Sequence, residues 1–444
     1  MTSTSLSSKG KYIFATVILF IFIISNLMII MKKEIFIDEV ISLKLVQTLP
    51  MKELVKGVDV HFGYYILMKL LPHNSVYMLR LYSLVMMAVA IALLFTFNDR
   101  LFGAKVAMLT MIASAFSATI SYYAIEARMY ALLFLLSVIL MYNFLKKNYN
   151  IAILILSFMI TIHYYAIFMA VPVFVSLLFL KKTFVSRFAV VCVLAVLVIL
   201  SPIIYHQLTD NPYKITPPSQ KVTLISLPSL IIFPFLDPSD LHSYALIAFA
   251  LMIVGILVYL MLTFDYKDNG VRIFFFYSAM TLFIIFSSSL LGAPYQHRYT
   301  MIFFPMFYTM LAISFMRLNL RLKVALGYLL SVFIIIGFLS YHVNVPSQLK
   351  DISAQIKCPK NILHETPFSM LPMMLYLPDC NHYIAYYSDW EGLTYKTVFS
   401  TPDKVNNSNI DYDVYISYYG KLVGTHILDN TCIDCLKVIN VVTT

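Results

Sequence analysis

The chain has 444 residues, 60% of them hydrophobic and only 12% charged, roughly half the charged share of an ordinary soluble protein. With a mean hydropathy of +0.82, a single soluble globule is excluded, because so few charges cannot coat so much apolar surface. The net charge of +10 gathers in short clusters between apolar blocks of near-span length, which marks a polytopic membrane protein and not a nucleic-acid binder.

In chain order, the first apolar block is Tyr12–Met31, preceded by Lys9 and Lys11. No small-residue cleavage site follows it; Lys32-Lys33-Glu34 does, so it reads as a membrane anchor. Further spans are expected at Leu81–Phe97, Val106–Tyr123, Met129–Leu145, Phe188–Ile204, Tyr244–Phe264, Ile273–Leu291, Thr300–Met316 and Val324–Tyr341. The stretch Ile151–Leu180 decides the parity. As one helix it would measure roughly 45 Å, too long for one crossing. Lys146-Lys147 before it and Lys181-Lys182 after it both belong in the cytoplasm, so an even number of crossings separates them. Two short helices with a turn near His163-Tyr164-Tyr165 are expected. The expected fold is an all-α polytopic membrane protein of about eleven helices, with its N-terminus cytoplasmic. The loop 32–80, with seven basic residues, runs against the charge rule.

The segment Val222–Leu236 is apolar but broken by Pro228 and Pro234, and reads as a re-entrant or interfacial piece. Residues 1–341 form the transmembrane domain on this reading. Residues 342–444 hold seven Lys, no Arg and ten acids and contain no span. Runs such as Tyr383–Tyr387 and Val414–Tyr419 suggest a small extracytoplasmic α/β domain. Cys358, Cys380, Cys432 and Cys435 fall in it, and an even count in an oxidising compartment predicts disulfides, Cys358–Cys380 and Cys432–Cys435. Zinc at the second pair is the weaker alternative, since no second close pair completes a site.

Ionisable groups beside hydrocarbon are costly, so their places are informative. Asp38 and Glu39 follow the first span; Glu126 and Arg128 sit in the short turn between the third and fourth; Arg298 opens a late span; Asp59, His61 and His163 fall on the same side. Arginines at a membrane surface suit a lipid phosphate, and a nearby carboxylate suits a general base. Together they describe sugar transfer from a lipid carrier. The bland readings are a solvated Asp38-Glu39 pair, arginines that snorkel to head groups, and an aromatic belt that includes Tyr64, Tyr65, Tyr122, Tyr123, Tyr130, Tyr164 and Tyr165.

Four stretches then resemble the GT-C glycosyltransferases, in the branch of the dolichyl-phosphate-mannose protein mannosyltransferases and the bacterial aminoarabinose transferase. They are Ile37-Asp38-Glu39; Asp59-Val60-His61-Phe62-Gly63-Tyr64-Tyr65 with Met78-Leu79-Arg80; Ser121-Tyr122-Tyr123-Ala124-Ile125-Glu126-Ala127-Arg128-Met129-Tyr130; and His297-Arg298-Tyr299 with Pro305. The resemblance implies an inverting transfer from a polyprenyl-phosphate-linked sugar to a lipid, glycan or protein acceptor on the outer face. It implies catalytic Asp38 with Glu39 beside it, donor-phosphate ligands Arg128 and Arg298, and supporting roles for Glu126, which orients Arg128, and for Asp59, His61, Tyr130 and His163. No cofactor is expected, although one other GT-C branch uses a divalent metal. The family's His-Pro-Pro-Leu-Tyr-Tyr here reads His61-Phe62-Gly63-Tyr64-Tyr65, and Gly63 is expected to loosen that loop. A lipid-linked glycan ligase or polymerase is disfavoured, because such proteins rely on a late outer loop. A glycolipid transporter is disfavoured by the lack of internal repeats. A relative that binds a glycolipid without chemistry stands as a third alternative.

Overall fold

The computed structural model of the protein describes residues 8–55, 61–180, 231–235, 244–269, 271–279, 297–343, 348–364 and 367–384, with isolated positions between 190 and 201 and short strands beyond 402. Asp59, most of Phe188–Ile204 and of Ile273–Leu291, Cys432 and Cys435 lie outside the described residues.

The protein is a multi-pass membrane protein. Helices α1 (Ser8–Ile30), α2 (Ile37–Thr48), α3 (Met51–Val55), α4 (Phe62–Lys69), α5 (Val76–Phe102), α6 (Ala104–Ala115), α7 (Ala118–Ala124), α8 (Tyr130–Leu145), α9 (Tyr149–Ile162) and α10 (Ala170–Phe179) follow in order. After them come α11 (Tyr244–Leu262), α12 (Phe304–Arg317), α13 (Leu320–Val343), α14 (Gln348–Ser353) and α15 (Pro367–Tyr376). Among the described residues four helical stretches are long and apolar enough to cross a membrane, beginning at Lys9, Val76, Arg298 and Leu320, and a fifth counts if the bent pair α6–α7 is one span. Four shorter apolar helices accompany them. α1 and α13 leave most of their surface uncovered, while α12 is the most enclosed, as expected for lipid-facing and central members of an all-apolar bundle.

α5 is longer than the expected span. Ser75 caps it by accepting from the Met78 N–H at 3.3 Å, and Gly103 ends it at φ 90°, a conformation that needs glycine. The expected span Val106–Tyr123 is not one straight helix: α6 and α7 meet at 65°. The cause is local. The Ser117 hydroxyl accepts from Ile120 N–H at 3.0 Å and donates to the Pro234 carbonyl at 2.7 Å. Thr119 Oγ1 donates to Phe233 O, the Ala118 N–H donates to Phe235 O, and Tyr308 donates to the Pro234 carbonyl. The buried segment 231–235 thus docks the carbonyls of Phe233, Pro234 and Phe235 on the break.

Polar side chains lock the helices further from the site. Asn98 Nδ2 donates to Thr110 Oγ1 at 3.1 Å and to Thr309 Oγ1 at 3.0 Å, which joins α5, α6 and α12. Lys11 pairs with Asp99 at 2.5 Å, which ties α1 to the far end of α5. Ile151–Leu180 is two helices: α9 stops at Ile162, His163 is extended, and a 3-10 turn Tyr164–Met169 leads into α10.

Beyond α13, strands β1 (Asn361–His364), β2 (Asn381–Ile384), β3 (Asp403–Lys404), β4 (Asp411–Tyr412), β5 (Val414–Ile416) and β6 (His426–Ile427) follow. A parallel sheet has the order β3-β2-β1-β5, with β1 and β2 in register from Asn361 opposite Asn381. α15 connects β1 to β2, and Cys358 is bonded to Cys380. This part rests on the loop before α2. Tyr376 Oη accepts from Ile35 N–H at 2.7 Å, Glu34 Oε2 accepts from Leu349 N–H at 3.1 Å, and Lys350 Nζ donates to Met31 O.

Candidate active site

The site forms where the ends of α1, α7 and α9 meet the starts of α2, α5, α8 and the 3-10 turn His297–Phe303 that precedes α12. Asp38 and Glu39 occupy the first turn of α2, where the unsatisfied N–H groups of a helix start favour negative charge. Successive residues on a helix are about 100° apart, so the two carboxylates face different neighbours.

Glu39 faces inward. Its side chain and that of Arg80 have no exposed surface. Arg80 Nε donates to Oε1 at 2.8 Å and Nη2 to Oε2 at 2.6 Å. Oε1 also accepts from Ala127 N–H at 2.8 Å, and Oε2 from Phe36 N–H at 3.0 Å. The remaining Arg80 donors bind the carbonyls of Ile30, Lys33 and Glu34. Burial alone would raise the Glu39 carboxyl, but the Arg80 charge and hydrogen bonds outweigh it and hold the group at about 2. A fully bonded carboxylate has no lone pair left for an acceptor. Glu39 therefore ties three segments together: the loop before α2, the start of α5 and the turn at Ala127. Arg80 was only part of a quoted motif in the sequence; it is the residue that this pairing adds.

Asp38 faces the other way, 23% exposed. Its Oδ2 lies 2.9 Å from Arg128 Nη1 and 3.3 Å from Arg298 Nη1. The two arginines flank Tyr130, with guanidinium carbons 5.9 and 5.8 Å from its ring centre. Arg128 Nε and Arg298 Nε are buried without a hydrogen-bond partner among the described residues. Arg298 thus donates an N–H to Asp38 and Arg128 forms an ion pair with it, while each keeps an Nε–H donor for an acceptor oxygen.

Glu126 does not orient Arg128 by a side-chain bond; Arg128 N–H donates to the Glu126 carbonyl at 2.7 Å. The Glu126 carboxyl is buried and its Oε2 has no partner among the described residues. Burial raises it, against the charges of Lys33, Arg298 and Arg128. Lys33 is buried too, over the Tyr122 ring at 3.7 Å, and burial lowers it to about 8 against Glu126 and Glu39.

His61 and His163 come together at 4.8 Å between ring centres, and His163 packs 5.0 Å from Tyr299 and 6.1 Å from Tyr130. Gly63, expected to loosen its loop, instead sits in α4 against α9. A Cβ there would meet Thr161 Oγ1 at 2.6 Å and Thr161 O at 2.9 Å. The glycine permits close packing, which carries His61 up to His163. Asp38, Arg128, Arg298, Tyr130, His61, His163 and Glu126 are thus gathered, Glu39 is turned away onto Arg80, and Asp59 is outside the described residues. Among the described residues no group of three or more His, Cys, Asp or Glu is placed to hold a metal ion.

Residues 62–206 match the sequence profile of the family described as dolichyl-phosphate-mannose-protein mannosyltransferase. The backbone is similar to the crystal structure of ArnT from Cupriavidus metallidurans in the apo state, with a TM-score of 0.56 and 15% identity over 85% of this chain and 86% of that one. The same protein bound to undecaprenyl phosphate aligns over 93% of each chain, at 16% identity and a TM-score of 0.55. The chain has the GT-C glycosyltransferase fold. No curated protein matches it by sequence. The GT-C resemblance read from the four motifs therefore agrees with the backbone, and the profile match covers three of the motif residues gathered here, Glu126, Arg128 and Tyr130.

Proposed function

We propose that the protein is a glycosyltransferase that moves a sugar from a polyprenyl-phosphate carrier to an acceptor on the outer face of the membrane, with inversion at the anomeric carbon. On this reading the N-terminus is cytoplasmic, about eleven helices cross the bilayer, and residues 342–444 lie outside. The observation that carries the proposal is a single carboxylate, Asp38, ion-paired with two arginines whose Nε–H groups have no partner among the described residues. A phosphodiester takes those donors on its free oxygens. The acceptor oxygen gives its proton to Asp38 as it attacks the anomeric carbon from the face opposite the phosphate. The bond from that carbon to the phosphate oxygen breaks, and the phosphate leaves with one more negative charge, which Arg128 and Arg298 stabilise more strongly than the charge of the diester.

Glu39 serves this chemistry as a positioning group: with Arg80 it fixes the first turn of α2 and hence the direction of Asp38. ArnT in complex with undecaprenyl phosphate supports a polyprenyl phosphate as the carrier. The test is single-turnover transfer by purified protein from radiolabelled lipid-linked sugar. Asp38→Asn keeps the shape and removes the base, and transfer is expected to fall by about 10²–10⁴ with donor binding retained. Near-normal transfer would remove Asp38 as the base. Unchanged donor affinity in Arg128→Ala and Arg298→Ala would leave both arginines as surface anchors only.

A further inference from the structure

Two histidines of the C-terminal segment take no part in sugar transfer. His364, the last residue of β1, is fully buried, and its Nε2 lies 2.9 Å from Nδ1 of His382 on β2. His382 Nε2 in turn lies 3.0 Å from the Leu377 carbonyl. A carbonyl only accepts, so His382 carries its proton on Nε2. In the neutral ring its Nδ1 then accepts from the His364 Nε2–H, and His364 Nδ1 is left as a bare lone pair. That nitrogen is buried and has no partner among the described residues. The bonds run in one direction, from His364 through His382 to Leu377.

They end on the helix that supports Asp38. The Leu377 N–H donates to Met373 O at 2.8 Å, which closes the last turn of α15. Met373 packs with Leu349, Ile362 and Cys380 in a small core of the C-terminal segment, while Met370 and Leu371 belong to the core of the helical bundle. α15 thus joins the two cores, and it packs on α2. Tyr376, its last residue, accepts the Ile35 N–H at 2.7 Å on the loop that leads into Asp38. A proton on His382 Nδ1 would face the His364 Nε2–H, donor against donor. The bond survives only if the His364 proton moves to Nδ1, where no described residue accepts it, at the cost of an unpaired buried donor. Either way, proton uptake weakens the hold on the end of α15.

We propose that the His364–His382 pair positions α15, and through it the loop that carries Asp38, and that a proton taken up from the outer solution releases this support and slows transfer. The link to transfer rests on Asp38 as the base of the proposed function. Burial, then His382, push the His364 ring well below its ordinary value, and burial lowers His382 against the bond to Leu377. Both rings are thus neutral while the segment is docked. Their support is complete above the ordinary value of 6.5 and declines as pH falls below it, because the released rings then bind more protons. The strands packed beside the pair carry the charged Asp403 and Lys404 of β3 and Asp411 of β4, and Tyr376, Tyr412 and Tyr415 titrate on α15, β4 and β5. Glu365, next to His364 in the chain, lies outside the described residues.

The experiment takes the purified full-length protein from about pH 7.5 to about pH 5.5. Hydrogen exchange of the Ile35 amide, corrected for the chemical rate, reads the support of the loop without any donor; single-turnover transfer reads its effect. A histidine held neutral one pH unit below its ordinary value shifts the docking equilibrium about tenfold, so Ile35 protection in the wild type is expected to fall by about that factor. His364→Gln with His382→Gln keeps an amide N–H at each Nε2 position and takes up no proton. Its protection is expected to change less than about twofold, and wild-type transfer relative to this variant to fall at least about twofold over the range, with binding of undecaprenyl phosphate equal in the two. His382→Ala is expected to lower protection and transfer already at neutral pH. Ile35 protection that ignores pH, or that changes equally in the wild type and the double variant, overturns the inference. Loss of the response in Glu365→Gln overturns it too, because the proton would then sit on that carboxylate. An acid response of Ile35 with constant relative transfer overturns the link to Asp38 and leaves the proposed function standing. Absence of transfer and of carrier binding at every pH overturns the proposed function, while Ile35 exchange still decides whether the pair holds the loop.

Discussion

Arg80 closes a two-pronged ion pair on Glu39, 2.8 Å from Nε to Oε1 and 2.6 Å from Nη2 to Oε2, with neither side chain exposed. The pair leaves the neighbouring Asp38 as the carboxylate that points at the site. Glu39→Gln would strand a buried guanidinium and is expected to destabilise the protein by about 3–5 kcal/mol. Glu39→Gln with Arg80→Met should recover part of that loss, because no charge is then left unpaired. Thermal midpoints of the single and double variants in detergent check this; a Glu39→Gln protein as stable as the wild type would remove the pair as the organiser of the α2 turn.

Acid stability follows from two buried carboxyls with opposite shifts. Glu39 is held at about 2 against a usual 4.5, so its contribution is complete above pH 4.5 and is lost as pH falls toward 2. Glu126 is raised above 4.5, so its ionisation costs stability, and that cost is relieved as pH falls from neutrality toward 4.5. Wild type minus Glu126→Gln should therefore show a gain on mild acidification, and wild type minus Glu39→Gln a loss only in strong acid. Parallel melting curves for all three proteins across that range would contradict both assignments.

Gly63→Ala places a methyl against the Thr161 carbonyl and hydroxyl at 2.9 and 2.6 Å. Overpacking of this kind costs about 1–3 kcal/mol. Because α4 carries the residue after His61, activity should fall beyond what the lost stability explains. Gly63→Ala with Thr161→Ala removes the hydroxyl contact but keeps the contact with the carbonyl, so it should rescue only in part; full rescue would place the clash in the side chain alone.

The C-terminal segment holds the loop that leads to Asp38. Tyr376→Phe removes the acceptor for Ile35 N–H, for a cost of about 0.5–1.5 kcal/mol. The expected effect is a lower rate of transfer with donor affinity nearly unchanged, since Asp38 loses part of its support and Arg128 and Arg298 lose none. Cys358→Ser with Cys380→Ser frees the segment between β1 and β2, which contains α15 and Tyr376, and should act in the same direction. Single-turnover rates and carrier binding, measured together, separate this outcome from a general loss of fold.

The membrane class, most helix positions among the described residues and the candidate residues that the fold gathers were legible in the chain, because hydrocarbon demands long apolar runs and makes every exception conspicuous. That is why Asp38, Arg128 and Arg298 stood out although they lie far apart in sequence. Arg80 did not, since it sits inside the first turns of a helix whose apolar run begins one residue later. The resemblance gave Asp38 the catalytic role and Glu39 a supporting one beside it, but the partner of each was not legible: only the turn of α2 sends one to Arg80 and the other to the arginine pair. The break between α6 and α7 likewise had no proline to announce it. It exists because Pro234 and its neighbours, distant in sequence, supply carbonyls that Ser117, Ala118, Thr119 and Tyr308 bind. Hydropathy is a local property and can be summed along the chain; the partner of a buried hydrogen bond is not, and it is decided only when the helices have packed.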